Sequence, residues 1–512
     1  MIPNLFIIAM PLLNSAVISI LKKSIGNTQH FIKYPHETQL KVFNELIFSG
    51  KNTEWGKKHD YRSIKTIEDY RKRVPLSDYD AMKPYIDMIM KGKQNLLWNS
   101  PIKWFAKSSG TTSDRSKFIP VSAESLKSCH FKGGTDMLAT YFHNNPGSGI
   151  FNGKTLAMGG SLFNNESFSG SFYGDISAII MKNLPFWAGY FRSPGLDIAL
   201  MDKWEDKIER MAVACMNQNI TCITGVPSWM MLLLNRITDL KNAGTITDVW
   251  KNLELFIHGG VNFKPYIEQY SKLAPKPGIN YLETYNSTEG FFGFQDSNDK
   301  KDLLLMLDNG IFYEFLPYHI NEIGDNTTIS LENVNTHDNY ALVISTNSGL
   351  WRYIIGDTIR FTSLNPYHFI ITGRTRNFIN AFGEEVIIEN AIKALTCACE
   401  KTSAIVTEFT AAPVYLEKGK TGAHEWLIEF KTEPDNLNNF ILYLDEELKK
   451  QNSDYEAKRY HNMILQMPVV RILPEGTFLN WMGKKGKLGG QNKVPKLCNE
   501  RIYIEDIKSM IQ

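Results

Sequence analysis

The sequence predicts an α/β fold for most of the chain, followed by a smaller α+β unit. From about residue 150, short apolar stretches such as TLAMGG (155–160) and ITCITGV (220–226) alternate with helix-like segments such as WEDKIERMAVACMNQ (204–218). Alternating strand and helix patterns are typical of α/β domains. After FIITGRTRNFINAFGEEV (369–386) the pattern changes to longer strands and amphipathic helices. At 512 residues the chain is also too long for a single core.

The individual elements follow in chain order. HETQLKVFNELIFSG (36–50) predicts a helix that Gly50 can cap at its carboxyl end. DLLLMLDNGIFYEFLP (302–317) has two apolar runs around Asp-Asn-Gly, which predicts a β-hairpin. AHEWLIEFKT (423–432) predicts a strand and FILYLDEELKKQ (440–451) an amphipathic helix. We expect an N-terminal domain of residues 1–373 and a C-terminal domain of residues 374–512.

Composition narrows the function classes. The net charge of +2 gives no sign of a nucleic-acid or membrane partner. Six cysteines are too few for a disulfide scaffold and fit a reducing cytosol, so we expect a cytoplasmic protein. Cys397 and Cys399 have no second ligand cluster, so they are interpreted as small packing residues rather than zinc ligands. The oligomeric state is not predicted.

The apolar N-terminus does not predict a membrane span. Proline, asparagine and serine interrupt its apolar runs before about 18 residues, the length that a span requires. It also lacks the basic start of a signal peptide. Leu13, Val17, Ile20 and Leu21 fall at helical spacing, which predicts a helix packed on its own domain rather than an interfacial anchor.

The loop SSGTTSDRSK (108–117) carries the first chemical signal. Consecutive amides around a glycine can form a cradle for anionic oxygen, and the hydroxyl groups add hydrogen-bond donors. Lys117 adds a positive charge that can pair with phosphate. The spacing is not that of a Walker loop. A polar surface loop remains an alternative interpretation of this segment alone.

Three further segments carry residues suited to a nucleotide. In HGGVNFKPY (258–266), the pair Gly259–Gly260 lets the backbone approach a ligand. In YLETYNSTEGFFGF (281–294), Tyr285 offers a flat face to a purine and Glu289 an oxygen ligand to Mg²⁺. In WRYIIGDTIRF (351–361), Asp357 at a strand end can accept hydrogen bonds from ribose hydroxyls. Taken singly, a buried aromatic and a solvated carboxylate explain the middle segment equally well.

Taken together with GGQNKVPKL (489–497), these motifs resemble the adenylate-forming superfamily of acyl-CoA synthetases, luciferases and adenylation domains. SSGTT, YNSTE, the Tyr-x-x-Gly-Asp pattern and the Lys-x-Pro-Lys ending look most like the auxin-responsive acyl acid-amido synthetases, in a form similar to bacterial members. The resemblance spans nearly the whole chain. It implies a large multi-layer α/β domain containing sheets or a β-barrel, with a small mobile C-terminal α+β domain.

The resemblance also implies site residues. The phosphate-gripping loop would consist of Ser108, Ser109, Gly110, Thr111, Thr112 and Lys117. Thr288 would lie beside the α-phosphate and Arg374 near the ribose. Arg376 lies where the hinge of the family falls. Lys493 matches the mobile lysine that completes adenylation, so the implied catalytic residues are Lys493, Lys117 and Glu289.

Three positions depart from the family pattern. Ile354 stands where arginine is usual; Arg352, two residues earlier, lies on the same strand face by period-two geometry and could substitute. Asn380 replaces a lysine that follows Gly373 by seven residues in the superfamily. Lys496 stands where arginine is common, which we treat as a minor change.

The implied function is ATP-dependent, Mg²⁺-assisted adenylation of a carboxylic acid, followed by acyl transfer to an amine, with an amino acid as the expected acceptor. An acyl-CoA synthetase using the same intermediate is the first alternative. A non-catalytic ATP-binding homologue is the second, and the presence of Glu289 and Lys493 argues against it. Trp229, Phe291 and Phe292 could favour an aromatic acid, although core packing explains them better.

Overall fold

The computed structural model describes most of the chain, namely residue 21 and residues 24–109, 116–261, 263, 266–275, 278–319, 322–323, 327–374, 378–415, 421–462, 464–485 and 494–511. The predicted N-terminal helix therefore lies outside the described residues, apart from Leu21, which is buried. Across the part of the chain that the structure describes, every helix lacks the length or the apolar character needed to cross a membrane.

The chain divides into two compact units. The larger comprises residues 1–108, 118–260 and 270–373, and the smaller comprises residues 109–117, 261–269 and 374–512. The labelled helices are α1 (Pro35–Gly50), α2 (Ile67–Arg73), α3 (Tyr79–Met90), α4 (Lys132–Asn144), α5 (Ile176–Asn183), α6 (Trp204–Cys215), α7 (Pro227–Lys241), α8 (Ile267–Leu273), α9 (Ile388–Thr402), α10 (Leu437–Gln451), α11 (Ser453–Arg459), α12 (Thr477–Lys484) and α13 (Ile502–Lys508).

The strands that lie wholly or mostly in the larger unit are β1 (Trp104–Ser109), β2 (Ser116–Val121), β3 (Lys154–Ala157), β4 (Leu162–Asn164), β5 (Phe172–Gly174), β6 (Arg192–Ser193), β7 (Ile220–Gly225), β8 (Leu255–Gly259), β9 (Asn280–Asn286), β10 (Phe291–Phe294), β11 (Leu303–Leu305), β12 (Ile311–His319), β13 (Glu322–Ile323), β14 (Asn339–Thr346), β15 (Tyr353–Leu364) and β16 (Tyr367–Arg374). The strands of the smaller unit are β17 (Phe378–Ile379), β18 (Val386–Ile387), β19 (Ile405–Val414), β20 (Ala423–Thr432) and β21 (Val469–Leu473).

The larger unit is built on a mixed sheet of twelve described strands, in the order β13-β12-β14-β15-β16-β11-β10-β9-β8-β7-β3-β6. Strands β6, β3, β7, β8 and β9 run parallel to one another. The antiparallel pairs are β9 with β10, β10 with β11, β11 with β16, β12 with β13, β12 with β14, and β14 with β15. Strands β2, β1, β5 and β4 form a second sheet. The α/β fold predicted from the alternating pattern is confirmed, and its parallel strands end at one edge of the sheet.

The hairpin predicted around Asp308, Asn309 and Gly310 is wrong. The flanking strands β11 and β12 do not pair, because β11 lies between β10 and β16 while β12 lies between β13 and β14. The turn residues are instead drawn inward: the ammonium group of Lys132 lies 2.7 Å from the Asp308 carboxylate, and the buried Asn309 side chain donates to the carbonyl of Phe291. Gly310 has φ +76°, so it does make the turn.

Gly50 ends α1 as predicted, but for a different physical reason. The residue after it, Lys51, is right-handed, so the left-handed cap typical of glycine is absent at this end. A Cβ added at Gly50 would lie 2.7 Å from the Trp351 ring. The glycine therefore allows α1 to pack closely against a buried tryptophan, which has no exposed surface.

The smaller unit has its own core. Strands β19, β20 and β21 form a sheet, and β20 and α10 correspond to the strand and helix predicted from the sequence. The buried Asp445 of α10 is bound by Arg459 of α11 at 2.5 Å and 3.0 Å, and by the Tyr455 hydroxyl at 2.8 Å. Pairing of this kind offsets the cost of burying the charge.

Candidate active site

The candidate site lies at the carboxyl ends of the parallel strands. Strands β3, β7, β8 and β9 are neighbours in the sheet and all run the same way. Their carboxyl ends therefore meet at one edge, where ligands of open α/β sheets usually bind. Gly259 ends β8 and Asn286 ends β9, so two of the predicted motifs come together at this edge.

The glycine pair after β8 has a packing reason. A Cβ on Gly259 would lie 2.4 Å from the backbone carbonyl oxygen of Thr284, so a side chain would force β8 and β9 apart. Thr284 also donates its hydroxyl to the carbonyl of His258 at 3.1 Å. Gly260 has φ +81°, a conformation that L-residues adopt only with strain. The close backbone approach at Gly259 is thus made to the neighbouring strand.

Tyr285 and Asp357 are brought together although they are 72 residues apart in sequence. The Tyr285 hydroxyl donates a hydrogen bond to the Asp357 carboxylate, and both residues are largely buried. The Tyr285 ring lies 4.8 Å from the ring of Phe292 and 6.2 Å from that of Phe369, measured between centroids. The tyrosine therefore fixes the position of the carboxylate that the sequence predicts as the ribose acceptor.

The turn after β9 holds Glu289. Its Oε2 atom accepts hydrogen bonds from the hydroxyl groups of Ser287, at 2.8 Å, and Thr288, at 2.6 Å. The Ser287 amide closes the turn by donating to the carbonyl of Gly290 at 2.9 Å. The two hydroxyl groups orient the carboxylate, and its Oε1 atom makes no hydrogen bond to the residues that the structure describes.

His130 contacts this motif but carries no signal in the sequence. Its Nδ1 lies 2.9 Å from Oδ1 of Asn286, the residue that ends β9. Burial lowers the pKa of His130 to about 4, so the imidazole is neutral at pH 7. His130 lies on a π-helical turn, Leu126–Phe131, and such turns are frequent at functional sites. A register change inside a helix cannot be predicted from apolar spacing, so sequence reasoning missed this contact.

The phosphate loop is described only at its ends. Ser108 lies in β1 and Lys117 in β2, and these two strands are neighbours in the four-stranded sheet. For Ser109 the structure describes the backbone alone, and Gly110, Thr111 and Thr112 lie outside the described residues, as does Lys493. Arg374 ends β16 and its side chain is likewise outside the description. The role of these residues in binding the phosphates stays a prediction.

Arg352 does not substitute for the missing arginine, so that expectation is corrected. It lies just before β15 with φ +45°, so the period-two geometry of a strand does not apply to it. Its guanidinium donates to the Glu314 carboxylate at 3.0 Å and 3.2 Å. It also donates to the carbonyls of Arg71 and Val74 and to the Thr328 hydroxyl. All five donors are used inside the core.

The other departures and the aromatic residues can be placed as well. The backbone amide of Asn380 donates to Asn499 Oδ1 at 2.6 Å, within the smaller unit. Phe291 and Phe292 are both buried in the hydrophobic core of the larger unit, which favours the packing interpretation over contact with a substrate.

Comparison with known proteins gives the family. The N-terminal domain of the GH3 family matches residues 24–279, its central domain residues 304–374 and its C-terminal domain residues 389–502. The chain is 22% identical to the indole-3-acetic acid-amido synthetase GH3.3 of Arabidopsis thaliana, over 92% of this chain and 91% of the relative. It is also 22% identical to the 4-substituted benzoates-glutamate ligase GH3.12 of the same plant, over 84% and 87%.

Solved structures agree on the fold. The acyl acid amido synthetase AtGH3.15 in complex with 2,4-DB has a TM-score of 0.60 at 16% identity, covering 97% of this chain and 96% of that one. A 2-hydroxyisobutyryl-CoA ligase has a TM-score of 0.52 at 13% identity, covering 93% and 91%. The fold is therefore shared with an acyl acid amido synthetase and an acyl-CoA ligase. The chain itself belongs to the GH3 family.

Proposed function

We propose that this protein joins a carboxylic acid to an amine through an acyl-adenylate made from ATP, and that the amine is an amino acid. The observation that carries the proposal is the Tyr285–Asp357 pair beside the hydroxyl-bound Glu289, in a chain of the GH3 family. Two relatives, an indole-3-acetic acid-amido synthetase and a 4-substituted benzoates-glutamate ligase, support an acid and an amino acid as substrates.

In the first half-reaction a substrate carboxylate attacks the α-phosphorus of ATP, and pyrophosphate leaves. Asp357 accepts hydrogen bonds from the ribose hydroxyls, and the Tyr285 hydroxyl holds its carboxylate in position. The loop residues Ser108–Thr112 donate to the phosphates, while Lys117 and Lys493 neutralise charge as the bond to pyrophosphate breaks. Phosphoryl transfer depends mainly on positioning and charge neutralisation, so this set of groups suits the reaction.

Glu289 suits Mg²⁺. The ion usually takes one or two carboxylates and completes its shell with water and phosphate oxygens. Glu289 offers a carboxylate oriented by two hydroxyl groups, with Oε1 not hydrogen-bonded to described residues. No group of three or more ligating side chains is found in the described part of the chain, so phosphate oxygens would complete the shell. Bound Mg²⁺ would neutralise negative charge on the triphosphate.

In the second half-reaction the amine nitrogen attacks the carbonyl carbon of the adenylate. The new C–N bond replaces the C–O bond to AMP, and AMP leaves with the bonding electron pair. No covalent bond to the protein is needed. We assign residues 1–373 to binding of ATP and the acid, and residues 374–512, which carry Lys493, to a C-terminal domain that moves between the two half-reactions.

A cytoplasmic location is part of the proposal. All six cysteines are unpaired, as expected in a reducing compartment. Fractionation of cells that produce the protein at native level would test it.

Pyrophosphate exchange against a panel of carboxylic acids tests the proposed activity. With ATP and Mg²⁺ present, exchange that depends on a particular acid would support adenylation, and no exchange with any acid would refute it. Product mass spectrometry with amino acids and CoA offered together then identifies the acceptor. An amide is the expected product, whereas a thioester would assign the protein to the acyl-CoA synthetases instead.

A further inference from the structure

Glu283 lies on β9 two residues before Tyr285, and the site described above does not use it. Side chains on a strand alternate between faces, so Glu283 points to the same side of the sheet as Tyr281 and Tyr285. Two residues along a strand span about 7 Å. On β8, the Cα partner of Glu283 is His258, the residue before the Gly259–Gly260 pair. Glu283 therefore lies on β9 shortly before the carboxyl-terminal edge of the sheet, where the candidate site lies.

The carboxylate of Glu283 differs from other largely buried carboxylates of the same unit. Glu314 is bound by two arginines, Asp357 by a tyrosine hydroxyl, and Glu254 by a tyrosine hydroxyl and a backbone amide. The Glu283 carboxylate accepts no hydrogen bond from the residues that the structure describes, although the backbone carbonyl of Glu283 accepts one from the Gln295 amide at 2.9 Å. It is only partly exposed, and burial raises its pKa to about 7. A carboxylate in this setting exchanges a proton readily near neutral pH.

His258 and Tyr281, two described neighbours of Glu283 on β8 and β9, carry no compensating charge at pH 7. His258 on β8 is neutral at pH 7, because burial lowers its pKa to about 3. Tyr281 on β9 is neutral as well, because burial raises its pKa. The ring of Tyr270 in α8 meets that of Tyr281 edge to face, with centroids 6.4 Å apart, and the Tyr285 hydroxyl donates to Asp357. Burial is thus the cause of the raised pKa of Glu283. An incoming cation would meet no competing positive charge from His258 or Tyr281.

We propose that the Glu283 carboxylate attracts the ammonium group of the acceptor and takes its proton before amide formation. The inference rests on the proposed function, because it assigns a role in the second half-reaction. The acceptor arrives as an ammonium ion, whose nitrogen has no free electron pair. One proton passes to Glu283, and the freed pair forms the C–N bond as the C–O bond to AMP breaks. The nitrogen then loses its second proton to solvent, and Glu283 also releases its proton to solvent.

The chemistry explains why this position suits the task. A carboxylate attracts the cation, and the same group then removes the proton that blocks attack. General bases of this kind contribute about 10²- to 10⁴-fold to a rate, and they act best with a pKa near the working pH. Glu289 and Asp357 are already held by hydrogen-bond donors, and the proposed function assigns them to Mg²⁺ and the ribose.

Single-turnover transfer from preformed acyl-adenylate tests the inference. We expect Glu283→Gln to keep acid-dependent pyrophosphate exchange but to slow transfer to an amino acid by about 100-fold at pH 7. Transfer to hydroxylamine, which is already neutral at pH 7, should be unchanged. The matched control is Glu166→Gln, an exposed glutamate that should leave both half-reactions unchanged.

Each result separates the inference from the proposed function. Equal rates for wild type and Glu283→Gln, equal slowing toward both nucleophiles, or loss of pyrophosphate exchange in a folded variant would overturn the role of Glu283 alone. Absence of exchange in the wild type with every acid would overturn the proposed function. If the variant fails to fold, the pH dependence of acyl transfer by the wild-type protein tests the inference instead. Transfer to an amino acid should rise through about pH 7 and transfer to hydroxylamine should not, and a flat amino-acid profile between about pH 6 and 8 would refute the inference.

Discussion

Replacing Arg352 by methionine should destabilise the larger unit and leave ATP binding unchanged. The arginine is buried, and its Nε and Nη2 atoms donate to both oxygens of Glu314 at 3.0 Å and 3.2 Å. Nη1 donates to the carbonyls of Arg71 at 3.1 Å and Val74 at 2.7 Å. Nη2 also reaches the Thr328 hydroxyl at 2.8 Å. The variant removes all of these bonds at once.

The size of the stability loss depends on how well the buried Glu314 carboxylate is compensated once the arginine is gone. Removing one partner of a buried ion pair costs about 3–5 kcal/mol, because the other charge is left in the core. Here Arg71 still donates from Nε to Glu314 at 3.0 Å, so part of that charge stays compensated. We therefore expect the lower end of the range, a loss of about 3 kcal/mol in the free energy of unfolding. Methionine and arginine bear the same backbone strain at φ +45°, which cancels in the comparison.

Urea unfolding followed by tryptophan fluorescence measures the loss, and isothermal titration with ATP and Mg²⁺ measures the binding. The matched control is Arg360→Met on β15, an exposed arginine whose replacement should change stability by no more than about 0.5 kcal/mol. A variant with unchanged unfolding and weakened ATP binding would contradict the structural role. It would instead support the prediction from the sequence, in which Arg352 substitutes for the arginine that is usual at position 354.

Three further substitutions have definite expected outcomes. Tyr285→Phe removes the hydrogen bond to Asp357; bonds to charged groups contribute about 1.5–3 kcal/mol, so pyrophosphate exchange should slow by ten- to about a hundredfold. Lys493→Ala should slow adenylation and spare ATP binding measured by calorimetry, and full exchange activity would refute its assignment. Gly259→Ala should lower the thermal unfolding midpoint, because its Cβ would lie 2.4 Å from the Thr284 carbonyl; an unchanged midpoint would contradict that packing.

Local patterns predicted much of the fold. The helix at Trp204–Cys215, the strand at Ile220–Gly225 and the C-terminal strand and helix all follow from apolar spacing within one segment. The hairpin predicted at Asp308–Gly310 failed because β11 pairs with β10 and β16, whereas β12 pairs with β13 and β14. Asp-Asn-Gly specifies a turn, but the partners of the flanking strands depend on the whole sheet.

The site was predictable where motifs carry the chemistry. Tyr285 and Asp357 were each expected to bind the nucleotide, and the structure joins them by a hydrogen bond across three intervening strands. His130 and Glu283 were not predicted as functional residues. The first depends on a π-helical turn and the second on burial without donors, and neither property can be read from residue order.

The absence of an arginine at position 354 affects how the negative charge of the triphosphate can be neutralised. Ile354 is partly exposed and packs against an apolar cluster that includes Leu316, Ala341 and Val343, and its side chain carries no charge. Arg352 is committed to Glu314. Neither position therefore supplies a cation to the nucleotide. If the proposed reaction holds, neutralisation of the triphosphate falls more heavily on Mg²⁺ and the two lysines than in family members that keep the arginine. Exchange activity should accordingly fall steeply as Mg²⁺ is lowered, and activity that persists in excess chelator would contradict this division of charge.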